Sequence, residues 1–212
     1  MQPASSIPKE LQNRKLYAAD FQALGIEYLA SVRTFLDKTK IIPPKPYPAK
    51  WKSYLELLHE DWAQRISCQY HAPVYLKYVN PKVGFGVFAD SPIKRFEAIG
   101  EYTGLLCVED DSKCEESFDY AIDAGYYASS TSEDRLTLYI DAAKCGNFTR
   151  FINHSYIPNV NAHTVFSNKD GLWHVMYRAI KDIGQDSQLL VNYGTDYWTT
   201  RNIEPVDLTA NP

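Results

Sequence analysis

The segment from Gly146 to Asn159, GNFTRFINHSYIPN, sets Asn147, Arg150, Asn153, His154, Ser155 and a Pro158-Asn159 pair among apolar residues. It is too polar for plain core and too apolar for an exposed loop. Polar groups held against core have to be hydrogen-bonded, to backbone or to a ligand, so any fold of this chain must bring partners to this stretch. Taken alone, His154 reads as a satisfied structural histidine as readily as a catalyst. The two Asn-x-Ser/Thr sequons, Asn147-Phe148-Thr149 and Asn153-His154-Ser155, read as accidental in a chain without a secretion signal.

Around this stretch the texture is β. After Cys68 come short alternating runs, Val74-Leu76-Tyr78, Leu136-Leu138-Ile140 and Trp173-Val175-Tyr177, separated by Gly, Pro, Asn or Asp. The acidic EDDSKCEE at 109–116 and ASSTSEDR at 128–135 are expected as exposed loops. Upstream, Tyr17, Phe21, Leu24, Tyr28, Val32 and Phe35 recur at three- and four-residue steps, which predicts a helix over 17–36, weakened by about 1 kcal/mol at Gly25. Pro43, Pro44, Pro46 and Pro48 exclude helix in the segment that follows. A second helix is expected from Trp51, with Trp51, Tyr54, Leu55, Leu58, Trp62 and Ile66 on one stripe packed against the next domain. The expected organisation is a helical N-terminal appendage over 1–70, a mostly β (α+β) domain over 71–200 and a short tail over 201–212.

Composition narrows the function. With 212 residues, 45% hydrophobic and 23% charged, the chain can bury a full core and is not collagen-like, disulfide-scaffolded or disordered. Lys and Arg number 22 against 26 Asp and Glu, a net charge of −4. No direct nucleic-acid binding is expected from that balance, and a basic peptide is a fitting partner. Cys68, Cys107, Cys114 and Cys145 form no C-x-x-C pair and are expected as reduced thiols. They and the histidines match no zinc spacing, so no metal is expected. No apolar run reaches the ~18 residues of a membrane span, which predicts a soluble protein of a reducing compartment.

Three further stretches carry information together. Gly84-Phe85-Gly86 continues into a strand rather than a helix, unlike a dinucleotide fingerprint, and its glycines permit close backbone approach. Glu101-Tyr102-Thr103-Gly104 reads alone as a strand end with a half-buried tyrosine. Arg178-Ala179-Ile180-Lys181-Asp182-Ile183, followed by Leu189-Leu190-Val191-Asn192-Tyr193-Gly194, reads as strand, turn and strand. In this order and spacing, over about residues 72 to 198, the stretches resemble the SET-domain family of protein lysine methyltransferases. RFINHSYIPN, and NYG preceded by RAIKDI, are the most specific parts. IGEYTG, GNFTRFINHS and RAIKDI are most similar to the compact chlamydial-type bacterial members, which act on host chromatin or bacterial histone-like proteins.

The resemblance implies small sheets with a pseudoknot at the C-terminal strand, an exception to the rule against threading. It implies S-adenosylmethionine as cofactor, lying along Val83, Gly84 and Phe85, with Tyr120, Arg150, Phe151, Asn153 and His154 lining its pocket. Tyr102 and Val191 match lysine-channel positions, and Tyr193 matches the catalytic tyrosine, with Tyr102 as its companion. The implied reaction is methyl transfer to a lysine amine of a histone or histone-like tail. Rival expectations are an inactive module binding basic peptides, and a methyltransferase for a non-histone protein. The implied setting is cytoplasmic, extending for a bacterial effector to delivery into a host cell and its nucleus.

Two departures from the family pattern stand out. Asp186-Ser187-Gln188-Leu189 replaces Gly-Glu-Glu/Gln-Leu, and Asp can take the left-handed conformation such a turn needs. No cysteine-rich segment follows Gly194, so Tyr197 and Trp198 are expected to close the cofactor pocket, the alternative being that Trp198 merely caps the core; a partner subunit of a homodimer is a further way to complete the site. Val191 is smaller than the Tyr or Phe frequent there, which implies room for more than one methyl group.

Overall fold

In the computed structural model, each of the three alternating runs lies within a strand. The structure describes residues 8–45, 52–108, 119–129, 135–206 and 208, and of residues 52–59 the backbone alone. The acidic stretch 109–116 with Cys114, most of ASSTSEDR, the second half of the proline run, the stripe positions Trp51, Tyr54, Leu55 and Leu58, and the end of the tail lie outside the described residues. In chain order the elements are α1 (Lys9–Gln12), β1 (Glu27–Tyr28), β2 (Arg33–Thr34), β3 (Ile41–Ile42), α2 (Lys52–Ser67), β4 (Val74–Asn80), β5 (Gly84–Ala89) and β6 (Ala98–Glu101). There follow β7 (Leu105–Val108), β8 (Ala121–Ala128), β9 (Arg135–Asp141), β10 (Cys145–Gly146), β11 (Asn153–His154), β12 (Val160–Ser167), β13 (Leu172–Ala179), β14 (Leu190–Val191) and α3 (Thr195–Arg201).

The strands form several small sheets rather than one large one. A five-stranded sheet runs β2-β7-β9-β8-β3, a three-stranded sheet β12-β13-β6, and β4 pairs with β5. Two parallel two-residue pairs, β1 with β10 and β11 with β14, tie distant parts of the chain together. β9 lies at the centre of its sheet, and Leu138, Tyr139, Ile140 and Asp141 are all buried, on both faces.

The helix expected over 17–36 is not formed. A 3-10 turn over Ala18–Leu24 stops at Gly25, which caps it with a left-handed φ of 72°. The chain then enters β1 and β2, and β2 and β3 become the two edges of the five-stranded sheet. The competing demand is backbone pairing: an exposed edge needs a partner, and this segment supplies it, overriding an amphipathic pattern. Leu16 adds two further backbone bonds with Leu76, each 2.9 Å. The region before residue 70 is thus only partly helical, and its short strands are woven into the sheets. On α2, Trp62 and Ile66 are buried against Ala98, Val165 and Met176, the packing expected of that stripe.

The C-terminal strand is held from both sides. On one side Leu189 donates to the Val87 carbonyl (2.7 Å) and Ala89 to the Ser187 carbonyl (3.0 Å). On the other, β14 runs parallel to β11, and Ser155 donates to the Val191 carbonyl (2.9 Å). The Asn159 side chain closes the loop: its amide donates to the Gln188 carbonyl (2.7 Å) and its oxygen accepts from Leu190 N–H (2.7 Å). Gly86 makes this approach possible, because a Cβ there would collide with Gln188 Nε2 and lie 3.1 Å from Asn153 Nδ2. The turn before the strand takes its left-handed residue from Asp186, φ 59°, whose carboxylate accepts from Tyr75 Oη (2.7 Å) and Lys15 Nζ (3.2 Å).

Cys68 and Cys145 are free, whereas Cys107 is disulfide-bonded, which corrects the expectation of four reduced thiols. That expectation rested on a chain of this size not needing a staple. Need does not decide whether two sulfurs lie within bonding reach. Among the described residues no helix is long and apolar enough to cross a membrane, and no group of three His, Cys, Asp or Glu is suited to hold a metal.

A charged cluster is built into the three-stranded sheet, on β13, β6 and the turn before β13. His174 is buried on β13, with Nδ1 bonded to Glu101 Oε1 and Nε2 to Asp170 Oδ2 at 3.1 Å. Burial pushes the imidazolium pKa down, but the bonds to Asp170 and Glu101 outweigh it and raise the value to about 9.

Two outcomes are expected. Asn159→Ala should cost about 2 to 4 kcal/mol in thermal unfolding, since two backbone groups of the held strand lose their partner; a loss under about 1 kcal/mol would show that the clasp adds little. The raised His174 pKa places its stabilisation in full below the ordinary value near 6.5 and removes it as pH climbs through about 9. Unfolding free energy should therefore drop by on the order of 3 kcal/mol across that window, and the drop should be absent in His174→Gln.

Candidate active site

The informative segment finds its partners in the fold. Asn147 caps the 3-10 turn Phe148–Phe151: its side-chain oxygen accepts from Thr149 N–H (2.9 Å), while its amide donates to the Glu101 carbonyl (2.8 Å). Arg150 is buried, with Nε donating to the Ala142 carbonyl (2.6 Å) and one terminal nitrogen to Ala143 (3.2 Å). Its guanidinium also lies 4.0 Å from the centre of the Tyr120 ring and 4.7 Å from that of Phe151. Burial lowers the Arg150 pKa. Asn153 donates to the Phe85 carbonyl (3.1 Å), which fixes β11 against β5.

These elements surround a cavity of about 330 Å³, within the range of small-molecule sites. Val83, Phe85, Tyr120, Arg150, Phe151, Asn153 and His154 line it, as do Tyr102 and Val191, together with Tyr193, Tyr197 and Trp198. Of the residues expected to bind cofactor or lysine or to act in catalysis, Gly84 alone is outside the lining; it takes a φ of 71° at the β4–β5 turn. Sequence reasoning missed Tyr177, Ala162 and Ile122, and the chain end at Ile203, Glu204, Val206 and Leu208. Tyr177 carried a signal only as a member of an alternating run, which reads as core. The apolar residues after 201 lie in the stretch expected as a tail, and their sequence carries no signal that they cover a cavity.

Two phenols meet in the interior. Tyr102 Oη donates to the Tyr120 carbonyl (2.6 Å) and Tyr193 Oη to the Ile152 carbonyl (2.7 Å). Tyr102 is buried and Tyr193 partly buried, and desolvation raises both pKa values well above the ordinary one, so both stay neutral. Tyr177 lies beside Tyr102, ring centres 6.2 Å apart.

His154 and the end of the chain form an aromatic cover. His154 Nδ1 accepts from Tyr193 N–H (3.1 Å), which leaves the proton of the neutral ring on Nε2, and burial lowers its pKa. Trp198 stacks on Tyr193 (5.8 Å, 11°) and meets His154 edge-on (4.8 Å). Tyr197 packs edge-on against both Tyr193 and Trp198, at 4.8 Å. Helix α3 is anchored by Tyr197 Oη donating to the Asp119 carbonyl (3.2 Å) and by an ion pair between Arg201 and Asp119 (3.4 Å). Two ring N–H donors of the wall, His154 Nε2 and Trp198 Nε1, are buried without a protein partner.

Comparison with known proteins agrees with this architecture. The SET-domain profile matches residues 84–194, just over half of the chain. The chain is 30% identical over 153 residues to histone-lysine N-methyltransferase EZH2 of Chaetomium thermophilum, covering 68% of this chain and 10% of that protein. It is 31% identical over 147 residues to histone-lysine N-methyltransferase SUVR3 of Arabidopsis thaliana, covering 63% and 41% respectively. It thus spans well under two thirds of either relative. Its fold is similar to that of ATXR5 in complex with a mono-methylated histone H3.1, with a TM-score of 0.58, 20% identity, and 84% of this chain and 86% of that one covered. With the 84–194 segment built around the clasped terminal strand and the cavity it closes, the chain belongs to the SET-domain family.

Proposed function

We propose that the protein transfers a methyl group from S-adenosylmethionine to a lysine side chain of a basic protein. The observation that carries the reading is the convergence of Tyr102, Tyr193, Asn153 and His154 on one cavity beneath an aromatic cover. The cavity fits the cofactor in kind. Its wall holds two unmatched ring donors, His154 Nε2 and Trp198 Nε1, and buried donors of that sort call for an acceptor. Val83 and Phe85 would hold the cofactor along the main chain, with Tyr120, Arg150, Phe151, Asn153, His154, Tyr197 and Trp198 around it. The bound cofactor supplies a methyl group activated by a sulfonium.

The chain's own residues prepare the acceptor amine. Only a neutral amine can attack, and the reference lysine pKa of ~10.4 leaves almost none at neutral pH. Tyr102, Tyr177, Ala162 and Val191 offer the amine an apolar, aromatic approach, and desolvation there favours its neutral form. Each phenol O–H donates its hydrogen bond to a backbone carbonyl, so its oxygen keeps lone pairs free to accept an amine N–H and turn the nitrogen lone pair toward the methyl carbon. Alignment of this kind can contribute ~7 to 11 kcal/mol. No dedicated base is required. The same aromatic surfaces can hold a methylated ammonium with about 0.5 to 2 kcal/mol, and the small Val191 leaves room for more than one transfer.

The relatives' names, histone-lysine N-methyltransferases, support a histone or histone-like tail as substrate, and the net charge of −4 suits a basic partner. IGEYTG and GNFTRFINHS favour the compact bacterial members within the family, and with them host chromatin or a bacterial histone-like protein as target.

Tyr193→Phe should lower methyl transfer to mixed histones at least about a hundredfold while cofactor affinity holds and stability changes by no more than about 1 kcal/mol. Unchanged transfer would remove the hydroxyl from the reaction. Trp198→Ala should weaken S-adenosylmethionine binding about tenfold by calorimetry with little change in unfolding temperature; equal affinity would show that the cover does not contact the cofactor.

A further inference from the structure

Away from the cavity, the turn at Lys94–Glu97 and the turn at Arg178–Asp182 lie side by side, joined by backbone bonds from Phe96 N–H to the Ala179 carbonyl and from Ala179 N–H to the Glu97 carbonyl, each 2.9 Å. At their junction stands Phe96, 55% exposed and with a φ of 73°. A bulky aromatic residue in the left-handed region is strained, and an exposed one gains nothing from core packing to offset that. What the conformation does provide is a support for two cations. The Arg95 guanidinium lies 4.4 Å from the ring centre and that of Arg178 5.1 Å from it. Arg178 Nε also donates to the Phe96 carbonyl (2.7 Å). Lys94 and Lys181 extend the same surface on the two turns. Two carboxylates share it: Glu97 caps Lys94 N–H (3.0 Å), and Asp182 accepts from Arg95 N–H (2.8 Å) and pairs with Lys94 Nζ (3.6 Å). Four cations thus face two engaged anions, in a chain whose net charge is negative.

We propose that this surface binds the phosphodiester backbone of double-stranded DNA, with Arg95 and Arg178 held in a fixed pair by Phe96. Arginine stacks on aromatic faces while its outer N–H groups stay directed at phosphate, and backbone recognition needs placed cations on an open face rather than a pocket. An acidic peptide would instead need a groove or a free strand edge, and the cations here sit on two turns. Ile180 N–H donates to the Asn159 carbonyl (2.9 Å), so the basic turn is joined to the end of the loop whose other end, at Asn153 and His154, lines the cavity. DNA held here would place a chromatin-bound basic tail on the same body as the cavity. That consequence rests on the proposed methyl transfer, whereas the binding does not.

The test uses the full chain without cofactor, so failure of methyl transfer cannot affect it. Fluorescence anisotropy with a labelled duplex of about 20 base pairs should show binding that weakens about a hundredfold from about 50 to about 200 mM salt, as expected for roughly four neutralised phosphates. The exposed charge reversal Arg95→Glu with Lys181→Glu should lower affinity at least about tenfold and flatten the log–log salt slope by about two. Phe96→Gly should relieve the left-handed backbone and keep the unfolding temperature while affinity falls severalfold. Absence of salt-dependent binding, unchanged affinity in either variant, or equal affinity for a polyglutamate peptide would overturn the proposal.

Discussion

The last strand of the domain is gripped between β5 and the loop 153–159, and the cavity exists because of that grip. Backbone bonds on both flanks and the Asn159 amide fix residues 187–191 within a few tenths of an ångström of ideal hydrogen-bond length. Two residues beyond it stands Tyr193, whose hydroxyl reaches the Ile152 carbonyl and whose backbone N–H reaches His154. The same ring is the floor on which Trp198 stacks. Strand, phenol and cover form one mechanical chain. This is why the segment Gly146–Asn159 needs so much polarity next to core: its asparagines serve as clamps for backbone groups that no regular sheet would satisfy.

That division of labour explains how readable the protein was from its residues alone. The alternating runs around Leu76, Leu138 and Val175 became strands because their period agrees with their burial. The motifs were recognisable as a set, and of the site residues they imply all but Gly84 meet at the cavity. Gly86 illustrates the limit: close backbone approach was foreseen, but the neighbour it admits is Gln188 of the chain's own last strand. Tyr177 and the apolar residues at 203–208 were invisible as site residues, since an aromatic on a strand and a hydrophobic tail carry no local mark of the cavity they help form.

The segment before residue 45 shows tertiary demand overriding local pattern. Tyr17 through Phe35 have helical spacing, yet β7 on one flank of the five-stranded sheet and the backbone at β10 take their pairing from β2 and β1 within this stretch. Strand pairing at two separate places outweighs a helix containing a central glycine. The Lys15 ammonium, set over the Tyr75 ring and bonded to Asp90 and Asp186, carries the same segment to the turn that launches the final strand. The N-terminal residues therefore help to position the part of the molecule farthest from them in sequence.

The held strand also dictates an order of assembly. A strand that is flanked by β5 on one side and by the 153–159 loop on the other can be seated only after both exist, and its contacts span a hundred residues of chain. Contacts of such separation are formed slowly. During synthesis the tyrosine proposed to orient the amine would be among the last groups to reach its place, so partly made chains would carry a bounded but open cleft and no finished channel. The topology itself would thus keep the proposed chemistry silent until residues through 193 have emerged.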